Sequence, residues 1–206
     1  GPALPFLDVW FETSQIGYAV GSFGMIIATR DGGKTWEPWL HRIDNPQFLN
    51  LNAIRRIGSD LYIVGERGQI YRFDRNQNRF LRMDTGYIGS FFGIVGNDDT
   101  LVAYGLRGTA YRSSRRGDLL RWSVLAAPSE QTIAAGLVRP DGSFVLVNLA
   151  GQFLLVDKSA KDVRLVPASR VMRMTGITAV DANTFIVTGL DGVRVETLHE
   201  TAAIPR

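Results

Sequence analysis

The sequence contains no cysteine and only two histidines, His41 and His199. The first absence excludes a disulfide framework, thiolate metal centres and cysteine nucleophiles. The second leaves too few imidazoles for a histidine-built metal site, and no clustered aspartates match a calcium loop. No metal and no cofactor is expected. No apolar run approaches the roughly 18 residues that span a bilayer as a helix, and no charged-then-apolar segment of the secretory type opens the chain. Gly1-Pro2 fits a protease-cleavage scar, which would leave any upstream targeting segment out of view. An excess of one charge is missing too. Over 206 residues, 23 basic side chains stand against 20 acidic ones, a formal net charge of +3. That balance gives nucleic acid no broad cationic stripe, and the short pairs Arg55-Arg56 and Arg115-Arg116 read as solvated surface. Helical periodicity is absent over any useful length.

What is present is a repeat. Five segments share one pattern, an alternating apolar run, a Gly-x-x-Gly turn or close variant, and a second alternating run: GYAVGSFGMIIAT, LYIVGERGQIYRF, TLVAYGLRGTAYRS, SFVLVNLAGQFLLV and TFIVTGLDGVRVET. The second glycines are Gly24, Gly68, Gly108, Gly151 and Gly192, a period of 40 to 44 residues. Each segment reads as a β-hairpin around a tight turn. A third strand is expected before each hairpin, at 9–13, 53–57, 91–95, 134–138 and 176–180. A fourth is expected after most, at 35–40, 79–83, 122–125 and 163–166. Four antiparallel strands every forty-odd residues is the period of a propeller blade. The expected fold is therefore all-β: a β-propeller with five visible four-stranded blades at about 8–45, 50–86, 89–128, 132–168 and 174–206, forming one domain over 1–206. The fifth blade has no obvious outer strand. Residues 200–206 supply it, or the segment 4–8 crosses over to close the ring, or the chain is the C-terminal part of a larger, seven-bladed propeller.

The first repeat carries Thr29-Arg30-Asp31-Gly32-Gly33-Lys34-Thr35-Trp36, which matches the Asp-box pattern at Thr29, Asp31, Gly33, Thr35 and Trp36. Asp31 is expected to accept backbone amides in its turn and Trp36 to pack between sheets. Remnants recur as Asp74 with Phe80, as Ser113, Gly117 and Trp122, and as Asp157. On these residues, and on the stretches DVWFETSQIGYAVGSFGMIIATRDGGKTWEPW and SFFGIVGNDDTLVAYGLRGTAYRSS, the chain resembles Asp-box (BNR-repeat) propellers, and among them the photosystem II assembly/stability factor-like family. The resemblance implies a scaffold that holds protein partners through an arginine patch and is no enzyme. It implies a periplasmic protein peripheral to the membrane, or a lumenal one in a photosynthetic source. It further implies an accessory of a membrane complex: a resistance-nodulation-division type exporter in the bacterial branch, a reaction-centre subunit in the photosynthetic one. Family members usually have seven blades, so five repeats favour the larger-ring alternative.

Strand order assigns each turn to a face. Turns between second and third strands, and loops between blades, share the face that carries Arg42, Arg67, Arg107, Arg170 and Arg173, with Phe23, Phe48 and Tyr87 as apolar anchors and Glu66, Asp44 and Asp191 opposing them. The other face carries Asp60, Asp98, Asp99, Asp141 and Asp181. Arginine suits bidentate carboxylate contacts, so the basic face is the expected partner-binding surface. Turn aspartates also arise from local hydrogen bonding alone. Because Asp boxes occur in sialidases, a glycan-binding or sialidase-like activity is the alternative of another class, with Glu66, Tyr87, Arg67 and Arg107 as its raw material. It requires paired acidic groups in a deep pocket on the basic face.

Overall fold

A computed structural model describes residues 4–114 and 121–198. The runs of β-branched and aromatic residues alternate inward and outward, so each repeat becomes a small antiparallel sheet in which sequence order is spatial order. The first sheet holds β1 (Phe6–Phe11), β2 (Gly17–Gly21), β3 (Ile26–Thr29) and β4 (Glu37–Pro38). The second holds β5 (Leu51–Ile57), β6 (Asp60–Gly65), β7 (Ile70–Asp74) and β8 (Arg79–Met83). The third holds β9 (Phe91–Gly96), β10 (Thr100–Gly105), β11 (Ala110–Ser114) and β12 (Trp122–Val124). The fourth holds β13 (Ile133–Val138), β14 (Phe144–Asn148), β15 (Gln152–Val156) and β16 (Val163–Pro167). Among the described residues the fifth has three strands, β17 (Met174–Ala179), β18 (Thr184–Gly189) and β19 (Gly192–Thr197). The tail 200–206, one candidate for its outer strand, lies outside the described residues, as do Arg115, Arg116, Gly117 and His199.

The first strands pack in succession, β1 on β5, β5 on β9, β9 on β13 and β13 on β17. The sheets therefore stand around one axis as the blades of a propeller. The core lies between successive sheets rather than in one centre. Tyr18, Trp39, Phe73 and Phe80 fill the first boundary, and Tyr62, Phe91, Ile94 and Leu101 the second. Tyr104, Phe144 and Leu154 fill the third, and Phe153, Met174 and Phe185 the fourth. Each large side chain buried this way contributes on the order of 1.5–3 kcal/mol. The outer faces of the two end sheets are not covered in this way: Val9 is 53% exposed on β1, and Val193 is 72% exposed on β19.

Three local expectations are corrected. The segment 4–8 does not cross to the fifth blade, because β1 starts at Phe6 and pairs with β2 of its own sheet, Phe6 with Gly21 and Asp8 with Val20. The first blade's outer strand is two residues, not 35–40. The Trp39 amide still donates to the Ile26 carbonyl at 2.9 Å, and the chain then turns through Leu40–Arg42 until Ile43 bridges to Phe80 of the second blade. Finally, the tryptophan between the first two sheets is Trp39, 4% exposed, rather than Trp36. Trp36 is half-buried on the first sheet's outer side, edge-on to Phe11 at 6.0 Å, and donates its indole N–H to the Gly33 carbonyl at 3.1 Å.

The Asp box itself closes as its chemistry demands. Asp31 accepts from the Thr35 hydroxyl at 2.6 Å, the Thr35 amide at 2.9 Å and the Thr29 hydroxyl at 2.8 Å. These bonds, the Thr35 hydroxyl foremost, hold its carboxyl at about 2. Asp157 plays the same part in the fourth blade. Partial burial works to raise its pKa, yet bonds from Asp162, Ser159 and Lys161 keep it at about 2.

Candidate functional site

The β2–β3, β6–β7, β10–β11 and β14–β15 turns meet the interblade loops at one end of the propeller. A repeated backbone latch ties each turn to the loop that opens its own blade. Ser22 donates to Pro5, Glu66 to Asn50, Leu106 to Ser90 and Leu149 to Thr132, at 3.0 to 3.1 Å. In the first three blades the residue at the turn's tip is forced into the left-handed region although it is not glycine: Phe23 at φ 54°, Arg67 at 52° and Arg107 at 55°. That conformation is costly for a residue with a Cβ. The following position does require glycine. A Cβ on Gly68 would lie 2.0 Å from the Tyr87 carbonyl oxygen, so the turn and the next interblade loop approach as closely as backbones can.

Two grooves open on this face. One, of about 580 Å³, runs over the second blade and is lined by Leu49, Arg67, Arg82, Tyr87 and Ile88. The other, of about 370 Å³, runs over the third and is lined by Arg107, Tyr111, Leu125 and Glu130, again with Tyr87. Tyr87 is thus the wall they share. Its ring rests on Phe91 and Tyr111, at centroid distances of 4.9 and 5.3 Å, and its hydroxyl donates to Thr109 at 3.2 Å. Arg67 donates to the Gln47 side chain at 3.0 Å. Among the described residues no carboxylate pairs with Arg67, Arg82 or Arg107. The contrast with Arg55, Arg75 and Arg194, which pair with Asp8, Glu12 and Glu196, is direct. Beside the grooves stand three exposed apolar side chains, Phe23 (61%), Phe48 (59%) and Ile88 (88%).

Of the residues expected on the partner-binding face, Arg67, Arg107 and Tyr87 come together around the grooves, and Phe23 and Phe48 form a shoulder where the Phe48 backbone packs on Gly24. Arg170 and Arg173 are exposed on the same face but lie at the boundary of the fourth and fifth blades, where the Arg170 carbonyl accepts from Arg194 at 3.0 Å. Arg42 is not brought to this face. It lies over the Trp39 ring and donates to the Asn78 carbonyl, in the β7–β8 turn at the opposite end, because the chain turns through Leu40–Arg42. Arg82 and Ile88 were not anticipated. The strand alternation that buries Phe80 carries Arg82 to the same side of β8, two residues nearer the groove.

Glu66, the remaining residue named for a glycan site, is otherwise engaged, and so are the turn aspartates of the acidic face. The Glu66 carboxylate accepts from the Asn50 amide at 2.9 Å and the Asn50 side chain at 3.1 Å. At the opposite end, Asp181 accepts the amides of Asn183 and Thr184, both at 2.8 Å, and Asp141 accepts the Ser143 hydroxyl and amide. These bonds hold both carboxyls below the usual range, the Asn183 amide foremost for Asp181 and the Ser143 hydroxyl for Asp141. The turn aspartates thus serve their own turns. Among the described residues there is no group of three or more side chains suited to a metal ion, and no helix is long and apolar enough to cross a membrane.

Residues 3–163 match the family model described as photosynthesis system II assembly factor YCF48. Solved structures similar to the chain include YCF48 from Cyanidioschyzon merolae, at 16% identity and a TM-score of 0.70, covering 95% of this chain and 68% of that one. YCF48 bound to D1 peptide is also 16% identical, with a TM-score of 0.53 and coverage of 94% and 78%. The WD40 β-propeller domain of Doa1 is 14% identical, with a TM-score of 0.74 and coverage of 97% and 67%. At these identities the likeness to solved structures is one of fold. No curated protein sequence matches the chain.

Proposed function

The chain belongs to the photosynthesis system II assembly factor YCF48 family, and on that premise we propose that it is a non-catalytic docking protein whose arginine face captures an acidic segment of a membrane-complex subunit during assembly. The observation that carries this reading is the pair of grooves around Tyr87, where Arg67, Arg82 and Arg107 have no carboxylate partner among the described residues and exposed Phe23, Phe48 and Ile88 stand alongside. Unpaired guanidiniums beside apolar anchors are the composition of an interface hot spot. A peptide-bound relative of the same fold, YCF48 with D1 peptide, supports a protein as the ligand. A glycan reading is less well supported, since each groove has a single carboxylate on its lining, Asp84 in one and Glu130 in the other. The family favours an assembly partner of the photosystem kind. An exporter as partner rests on the resemblance of sequence alone. The site of action in this reading is extracytoplasmic, the thylakoid lumen or the periplasm.

The test is affinity capture from a gently solubilised membrane fraction, with captured proteins identified by mass spectrometry. The expected result is one membrane subunit recovered by the wild type and lost by Arg67→Glu/Arg107→Glu. Equal recovery by both proteins refutes docking through this face.

A further inference from the structure

The turn-and-loop architecture repeats closely enough that a break in it carries information. At the first blade boundary, the amide of the turn-tip residue Phe23 donates to the side chain of Asn50 at 2.8 Å. At the third, the amide of Arg107 donates to the side chain of Thr132 at 3.4 Å. Asn50 and Thr132 hold the same position, the last residue before the inner strand, and the latches to Glu66 and Leu149 fix that equivalence. Ser90, latched to Leu106, holds this position at the second boundary. There the pattern stops. Among the described residues neither the Arg67 amide nor the Ser90 hydroxyl has a hydrogen-bond partner.

The break falls where the charge is greatest. Arg67 lines the larger groove together with Arg82, and across Tyr87 stands Arg107, none of the three paired with a carboxylate among the described residues. The tip is also held left-handed at φ 52°, and the amides of Glu66, Gly68 and Gln69 are spent on the Asn50, Gly89 and Glu66 carbonyls, so the Arg67 amide alone is left over in this turn. In the neighbouring blades a side-chain oxygen already occupies the tip amide. In the second blade no side-chain oxygen among the described residues fills that place, and the exposed tip leaves it open to a ligand.

We propose that the Arg67 turn is a carboxylate cradle, in which the Arg67 amide, the Arg67 guanidinium and the Ser90 hydroxyl together hold an Asp or Glu side chain of the partner. This rests on the docking reading above and specifies which group is gripped. The carboxylate belongs to a side chain rather than a chain end, because grooves continue on both sides of Tyr87 and a segment lying in both must run through. Charge-assisted bonds from an amide and a guanidinium are the strong kind, and here they discriminate carboxylate from carboxamide.

The test uses the full chain, with a short acetylated and amidated peptide of alternating Glu and Leu as the probe and its Gln-Leu counterpart as the control. The expected result is saturable binding of the Glu-Leu peptide alone, with a downfield shift of the Arg67 amide proton in the titration. Ser90→Asn, which copies Asn50 and caps the amide from within, weakens binding about tenfold. Ser90→Ala, a milder change should the first variant fold poorly, weakens it several-fold. An unmoved Arg67 amide, or wild-type affinity in a folded Ser90 variant, overturns the cradle and leaves the docking face standing. Equal binding of the Glu-Leu and Gln-Leu peptides overturns the carboxylate assignment. A Gln-Leu peptide with a free carboxyl end that binds as tightly as the amidated Glu-Leu peptide overturns the side-chain assignment. Failure of the docking reading itself is read separately, from capture that survives Arg67→Glu/Arg107→Glu.

Discussion

Asp8, on the inner strand of the first blade, accepts both the Ile54 amide, at 2.8 Å, and the Arg55 guanidinium from the inner strand of the second. The carboxylate is mostly buried, so losing it strands an amide and a cation at the axis. Asp8→Ala is expected to lower stability by about 1–3 kcal/mol in urea unfolding, and Asp8→Asn by less, because a carboxamide oxygen still serves the amide. Indistinguishable midpoints for the two variants would mean the Ile54 bond contributes nothing.

The turn tips oppose stability to function. Arg67 and Arg107 sit at φ 52° and 55°, where glycine has no steric penalty. Arg67→Gly and Arg107→Gly are each expected to raise stability, or leave it level, within about 1 kcal/mol. Partner capture is expected to fall in both. A variant that is destabilised by more than that shows the guanidinium stem to be part of the fold.

Trp39 and Trp36 separate burial from exposure within one motif. Trp39→Ala empties the boundary it shares with Tyr18 and Phe73 and is expected to cost about 3–5 kcal/mol. Trp36→Ala, on the half-buried outer side, is expected to cost clearly less. Melting curves in the reverse order would contradict the packing described.

Acid acts on the box aspartates. Asp31 and Asp157 titrate at about 2 in the fold against an ordinary 3.8. A depressed folded-state pKa makes the charged form the stabilising one, so this contribution is full well above 3.8 and is lost as pH falls from there towards 2. Unfolding midpoints should fall over that window and be flat above it. In Asp31→Asn/Asp157→Asn the fall should shrink, and an unchanged acid slope would assign it to other groups.

The fold was legible because its signal is periodic. Gly24, Gly68, Gly108 and Gly151 mark turns that close on the next loop, and no helix-period pattern competed with the strands. What escaped was set by a local change of chain direction. The tight turn at Leu40–Arg42, where the Arg42 amide donates to the Trp39 carbonyl at 2.7 Å, takes Arg42 away from the face that strand order alone assigned to it. Arg82 escaped for the opposite reason: it sits inside a strand, and only the inward placement of Phe80 reveals which side it serves. The Ser90 break was invisible, because a missing hydrogen bond leaves no mark on composition or spacing.

Packing that runs from each blade to the next makes the molecule one-dimensional in its energetics, and unfolding then advances as a front from an end. Among the described residues the turn of the fifth blade is the less held: a Cβ on Gly192 would meet nothing within 4 Å, whereas one on Gly151 would press on Met172. A front starting at β19 must melt the fourth blade before it reaches Arg107 and the third. Amide exchange should therefore be fastest in β18 and β19 and slow in β6 and β10, leaving the grooves intact on a molecule already fraying at its edge.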